Sequence, residues 1–350
     1  MDTPTLVPST GNQNTSGSQT TLKVTVWQGV GPDLLEIIID QWVNLLVCLI
    51  GIVANIIEIC VFTKQGFKDT VNISMTFIAF WDLLRVTFGA CQRLHGPISF
   101  FSPTFATVWQ NYTLFKLSYI HNISSNISYL LGAYIALERC LCVGMPLQVK
   151  FIITVKVTIA VCAIISIVVF SSLFPLFFIY EPAWVYNENS KTFVFVNQVT
   201  EFYRTYGARY VEASAPLGFL YPTLSLTIMV TSTLIIWYHL HKSTSCRSNQ
   251  VSNYIKFQPP LDKKEKQVLK MLLVIIYIYI LNLIPRVTNY IAKMLNVQYY
   301  NGNFIKTPYW IIVYLAYLLD FVNSTVHLFV FYAMSSKFKN TFRRIFCSKY

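Results

Sequence analysis

Ala136-Leu137-Glu138-Arg139-Cys140 closes an apolar run that extends from Phe115 to Val143. An adjacent acid and base are costly inside a hydrocarbon layer, but at the rim of a membrane helix they can be held together and released. Upstream, Ser118, His121, Asn122, Ser125, Ser128 and Gly132 recur at intervals of three, four and seven. That spacing lays polar and small residues down one side of a single helix. Such a helix, apolar on its other face and ending in Glu-Arg, belongs at the centre of a bundle.

The rest of the chain reads as that bundle. Only 12% of its 350 residues are charged and 54% are hydrophobic, which is too apolar for an ordinary soluble domain. Seven runs, near 35–63, 71–95, 112–143, 152–180, 212–240, 267–295 and 309–334, are each long enough to cross a hydrocarbon core of about 30 Å. The fold expected is an all-α membrane protein, a seven-transmembrane helix bundle. The first 32 residues, rich in Thr, Ser, Gly and Asn, read as a disordered extracellular tail without a cleavable signal peptide. Residues 33–334 form the membrane domain, and 335–350 a cytoplasmic helix and tail.

A formal net charge of +12 would suggest nucleic acid in a soluble protein. Here the basic residues gather on alternate connections: Lys64 and Lys68, then Arg139, Lys150 and Lys156, then Lys242 to Lys270, then Lys337 to Lys349. That is the positive-inside bias, and it predicts the amino terminus outside, the carboxyl terminus inside, and no nucleic-acid partner. After span seven, Phe338, Phe342, Ile345 and Phe346 recur at i, i+4, i+7 and i+8 opposite Lys337, Lys339, Arg343 and Arg344. This predicts a short amphipathic eighth helix lying on membrane lipid, with Cys347 at its end placed for palmitoylation. Asn14 and Asn111 begin Asn-x-Ser/Thr sequences on the outer side and are candidate glycosylation sites.

The eight cysteines show no metal or redox spacing, and the long outer loop from Glu181 to Val211 has none, so no outer disulfide is expected. No catalytic constellation, metal-ligand spacing or Gly-rich phosphate loop appears, which argues against an enzyme. Asn55 in span one and Asp82 in span two lie at mid-membrane depth and need partners on facing helices.

A set of motifs in chain order resembles rhodopsin-like G-protein-coupled receptors. It comprises Gly51 with Asn55, Ala79 with Asp82, Glu138-Arg139-Cys140, Pro222 in span five, Pro285 in span six, Asn323-Ser324 in span seven and Phe338 beyond it. Asn282-Leu283-Ile284-Pro285-Arg286 and Asn323-Ser324-Thr325-Val326-His327 look most like invertebrate FMRFamide-type neuropeptide and chemosensory receptors. The sequence also departs from the pattern. Span four lacks its tryptophan, Leu283 stands at the aromatic toggle, and His327 to Phe331 replaces Asn-Pro-x-x-Tyr.

The resemblance implies an extracellular neuropeptide or small-molecule ligand, activation of a heterotrimeric G protein, arrestin as a further partner, and a plasma-membrane location. It implies an activation switch at Glu138, Arg139, Glu265, Pro285, His327 and Phe331, with Arg139 tethered to Glu265. It also places Asn55, Asp82, Ser128, Asn323 and Ser324 in a polar core. There Asp82, Ser128, Asn323 and Ser324 could surround a modulatory sodium ion, unless Arg85 takes its place. No other cofactor is expected. By helix phase, Arg93, His121, Asn122, Ser125, Arg286, Asn289, Tyr290, Tyr317 and Asp320 line the outer half. Two arginines and a histidine there face one aspartate. Either the surplus donors bind an anionic ligand, or Arg286 and Asp320 close on each other in a salt bridge. The alternative class is a seven-helix transporter or channel, but no internal repeat and no string of pore-lining charges is visible.

Overall fold

A chain in hydrocarbon must satisfy every backbone N–H and C=O within itself, so each long apolar run becomes a helix. The computed structural model describes residues 36–145, 148–187, 192–249, 263–295 and 306–347. A π-helical turn, Glu36–Val43, leads into α1, Asn44–Gln65. Then follow α2, Thr70–Arg93, a short α3, His95–Ser99, and α4, Pro103–Gly144. Next come α5, Val149–Ile152, and α6, Val155–Leu173. A hairpin of β1, Tyr180–Asn187, and β2, Thr192–Val199, precedes α7, Ala208–Asn249. The chain continues with α8, Lys263–Leu295, α9, Lys306–Met334, and α10, Ser336–Phe346. Among the described residues seven helices are long and apolar enough to cross a membrane: α1, α2, α4, α6, α7, α8 and α9.

Local chemistry sets the helix ends. Asp69, Ser102, Thr154 and Ser335 each accept a hydrogen bond from a backbone N–H in the first turn that follows. Pro103 adds a preset φ at the start of α4. Gly66 ends α1 at φ +83°, where a Cβ would be strained. The end of the bundle holding Lys64, Arg139 and α10 is its basic end. The other is the hairpin end.

Helix α4 packs against α2, α6, α7 and α8 and reaches the hairpin, the central place that its polar stripe requires. A Cβ on Gly132 would lie 2.8 Å from Met229 Cε and 3.2 Å from Tyr279, so the glycine eases the close approach of α7 and α8 there. At the basic end Phe331 meets Phe62 edge-on at 5.0 Å and stacks on Phe338 at 5.5 Å, fastening α10 to α1 and α9. Lys337, Arg343 and Arg344 stay exposed on the other face of α10, and Cys347 is exposed just beyond it.

The sequence reading did not anticipate the hairpin. Its register pairs Trp184 with Phe195 and Tyr186 with Phe193, an alternation of aromatic residues that was visible in the sequence. The hairpin also bears on Asn111, which lies inside α4 rather than in a loop. Asn111 Nδ2 donates to Phe195 O at 3.4 Å, and its carbonyl accepts from Asn197 Nδ2 at 2.7 Å. A glycan replaces one of the two hydrogens on that nitrogen, so at Asn111 it would have to share the nitrogen with the hairpin contact. Asn14 lies outside the described residues.

Seven cysteines among the described residues, Cys48, Cys60, Cys91, Cys140, Cys142, Cys162 and Cys347, are free thiols. Mild reductant should therefore leave the unfolding midpoint of the purified protein unchanged, with no mobility difference between reducing and non-reducing gels. A drop in the midpoint or a gel shift would reveal a disulfide.

Candidate functional site

Buried charge is arranged in four levels along the bundle. Nearest the hairpin end, Arg93 on α2 donates to Asp40 at 2.7 Å and to Gly89 O at 3.2 Å. Its guanidinium lies over the rings of Tyr317, at 5.0 Å, and Phe321, at 4.8 Å. Arg93 is thus spent on the turn before α1 and on α9. This corrects the sequence expectation, which set Arg93 beside Arg286 as a surplus donor. Asp40 was the residue missed. The signal for it was Asn44, four residues on and one turn away, which donates to it at 3.1 Å.

The second level centres on Asp320 of α9, which is buried. Its Oδ2 accepts from Arg286 Nη1 at 2.9 Å and lies 3.3 Å from His121 Nε2. Its Oδ1 accepts from the Tyr129 hydroxyl and from Asn282 Nδ2, the latter at 3.1 Å. Asn282 Nδ2 also reaches the Tyr129 hydroxyl at 3.0 Å, and Arg286 Nη2 donates to Asn122 Oδ1 at 2.6 Å. One carboxylate thereby ties α4, α8 and α9 together, and its arginine has no idle donor fork. The surplus inferred from the sequence disappears, and the geometry is the closed salt bridge. Tyr129 and Asn282 were missed as site residues. Asn282 was within reach of the pattern, since it lies four residues before Arg286 on the same helix face.

The remaining outer-half residues divide. His121 also meets Tyr317 and Phe321 edge-on, at 5.0 and 5.1 Å. Ser125 Oγ and Asn289 Oδ1 are buried without a hydrogen-bond partner, while Tyr290 is half-buried near Gly218. The structure therefore brings His121, Asn122, Arg286 and Asp320 into direct contact, and leaves Ser125 and Asn289 outside their hydrogen bonds.

The third level is the polar core. Asp82 Oδ1 pairs with Arg85 one turn along α2 and accepts from Ser128 Oγ at 2.7 Å. Both side chains of that ion pair are fully buried. Arg85 also donates to Asp320 O at 3.3 Å and lies against the Tyr129 ring, as Arg286 does. His327 Nδ1 is 3.5 Å from Asp82 Oδ2, too long for a good hydrogen bond. Asn55 donates to Ser324 O at 3.1 Å, joining α1 to α9. Asn323 is buried with neither side-chain atom bonded, and Ser324 Oγ turns to Asp320 O at 3.1 Å. Arg85 is the cation paired with Asp82, the alternative that the sequence left open beside sodium.

The fourth level is the rim at the basic end. Glu138, 1% exposed, pairs with its neighbour Arg139 and accepts from Thr70 Oγ1 of α2 at 2.6 Å. Thr70 was not expected. Glu265 belongs to α8, but its side chain lies outside the described residues, as does any tether to Arg139. Pro285 faces outward from α8, and His327 and Phe331 are buried in α9.

Ion pairs are thus stacked through the seven-helix bundle, the last of them at its rim. Residues 42–349 match the family model described as serpentine type 7TM GPCR chemoreceptor Srw. No curated relative matches the chain.

Proposed function

We propose, on the premise that this chain belongs to the Srw family of serpentine seven-transmembrane G-protein-coupled chemoreceptors, that it detects an extracellular ligand by opening the Asp320 knot. The ligand is a small chemosensory molecule or a neuropeptide of the FMRFamide type. The family assignment supports a receptor over a transporter. The observation that carries the reading is the position of Asp320, one carboxylate joining α4, α8 and α9. An acidic ligand group that takes Arg286 from Asp320 unties α8 from α9, and the released α8 can then move at the rim.

In this reading the protein sits in the plasma membrane with its amino terminus outside, and its basic end recruits a heterotrimeric G protein and then arrestin. The rhodopsin-like motifs support that arrangement. The exposed cations of α10 support contact with anionic lipid. Screening small metabolites and peptides in cells, with G-protein-dependent calcium or cAMP as the readout, tests it. Responses abolished by G-protein inhibition are expected. A ligand-evoked current or uptake that persists under inhibition would overturn it.

The latch gives a separate expectation. Thr70→Val removes a hydrogen bond to a buried carboxylate, worth about 1.5–3 kcal/mol. Ligand-free signalling at equal surface expression should rise roughly tenfold or more. An unchanged baseline would show that Thr70 does not restrain Glu138.

A further inference from the structure

Four buried or half-buried acids in the bundle have a cation: Asp40 has Arg93, Asp82 has Arg85, Glu138 has Arg139 and Asp320 has Arg286. Glu58 on α1 does not. It is 1% exposed, its Oε1 meets no hydrogen-bond donor, and no ion pair among the described residues includes it. It lies one turn beyond Asn55 toward the basic end, on the buried face of α1.

The groups around it offer no charge to balance an anion. From α2 the charge that bears on Glu58 is Asp82, of like sign, while Arg85 is already committed to Asp82. From α8 comes Tyr279, whose hydroxyl is buried without a partner. From α9 comes His327, with neither ring nitrogen hydrogen-bonded and Nδ1 turned to Asp82. The lysines of α10 are engaged elsewhere. Lys337 is 3.9 Å from Asp69, and Lys339 lies over the Tyr332 ring. On α1 itself, Asn55 spends its amide N–H groups on Gly51 and Ser324 carbonyls and presents an unbonded Oδ1.

An isolated carboxylate walled from water by apolar helices is a far costlier state than the neutral acid. We propose that Glu58 is a proton-binding site, holding one proton in this closed bundle and releasing it to water when the basic end opens. On release the O–H bond breaks, its electron pair stays on the carboxylate, and the proton passes to water. The closed state then binds one proton more than the open state. Rising pH at the basic end favours opening, by up to about tenfold per pH unit for one proton.

The proton site itself does not depend on the receptor reading; its coupling to signalling does. Infrared spectra of the full-length protein, with carboxyl-labelled glutamate and with Glu58→Gln, test the first. A protonated-carboxyl band that shifts with the label and vanishes in Glu58→Gln is expected. Ligand-free signalling in cells clamped at different cytosolic pH tests the second. It should rise toward alkaline pH by up to about tenfold per unit in the wild type and stay flat in Glu58→Gln. Absence of a labelled band in the wild type overturns the proton site even if the variant does not fold. The same pH slope in wild type and Glu58→Gln overturns the release. A labelled band without G-protein signal at any pH supports the proton site and counts against the receptor reading alone.

Discussion

Asp320→Asn should destabilise the bundle by about 3–5 kcal/mol, Arg286→Gln by a similar amount, and the two together by much less than their sum. Each single change leaves a buried charge without its counter-ion: Arg286 beside Tyr129 and Asn122, or Asp320 beside His121, Tyr129 and Asn282. The double variant leaves two amides that can still hydrogen-bond. Thermal unfolding of purified protein and surface expression both report the cycle. Full stability and expression in Arg286→Gln, whatever its potency, would mean that the bridge contributes little to folding.

Arg85→Met should have a comparable cost and a distinctive remedy. It removes the cation from Asp82 and puts a shorter, uncharged side chain in its place, so an aspartate at mid-bundle is left, among the described residues, with Ser128 as its hydrogen-bond donor. The loss should again be about 3–5 kcal/mol. A small cation can now occupy the vacated position, so the variant should regain stability as sodium replaces a larger monovalent cation at constant ionic strength. The wild type should be indifferent to that exchange, because its guanidinium is already in place. Sodium dependence in the wild type, or none in Arg85→Met, would contradict this account. Asp82→Asn in the Arg85→Met background should abolish the response.

What could be read from the sequence was what repeats along one helix. The stripe on α4 follows from the periodicity of Ser118 to Gly132, and the Asp82–Arg85 pair from their spacing of three. Partners that arrive from another helix were not legible, because helix phase says which face a side chain occupies but not what faces it. The count of donors near Asp320 therefore included Arg93, which Asp40 claims from the turn before α1. It omitted Tyr129, hidden one residue past Ser128 in what reads as apolar filler. Thr70 was hidden for a different reason. A threonine at a helix start reads as part of a cap, yet Asp69 performs the capping and leaves the Thr70 hydroxyl for Glu138. The hairpin was legible through its alternating aromatics, but only a reader looking for strands in a membrane protein would have sought it.

At 42 residues, α4 is one unbroken rod about 63 Å long, roughly twice the thickness of a hydrocarbon core. At Gly132 a Cβ would lie 2.8 Å from Met229 Cε of α7 and 3.2 Å from Tyr279 of α8. Taken as the pivot of a rigid tilt, that point divides the helix unequally. Asn111, gripped by the hairpin, stands about 31 Å to one side of it, and Glu138 about 9 Å to the other. A sideways push at the hairpin therefore reaches the latch geared down by a factor of roughly 3.5. A coarse displacement of some 3–4 Å at Asn111 becomes about 1 Å at Glu138. That much stretches a 2.6 Å hydrogen bond to Thr70 beyond its useful range.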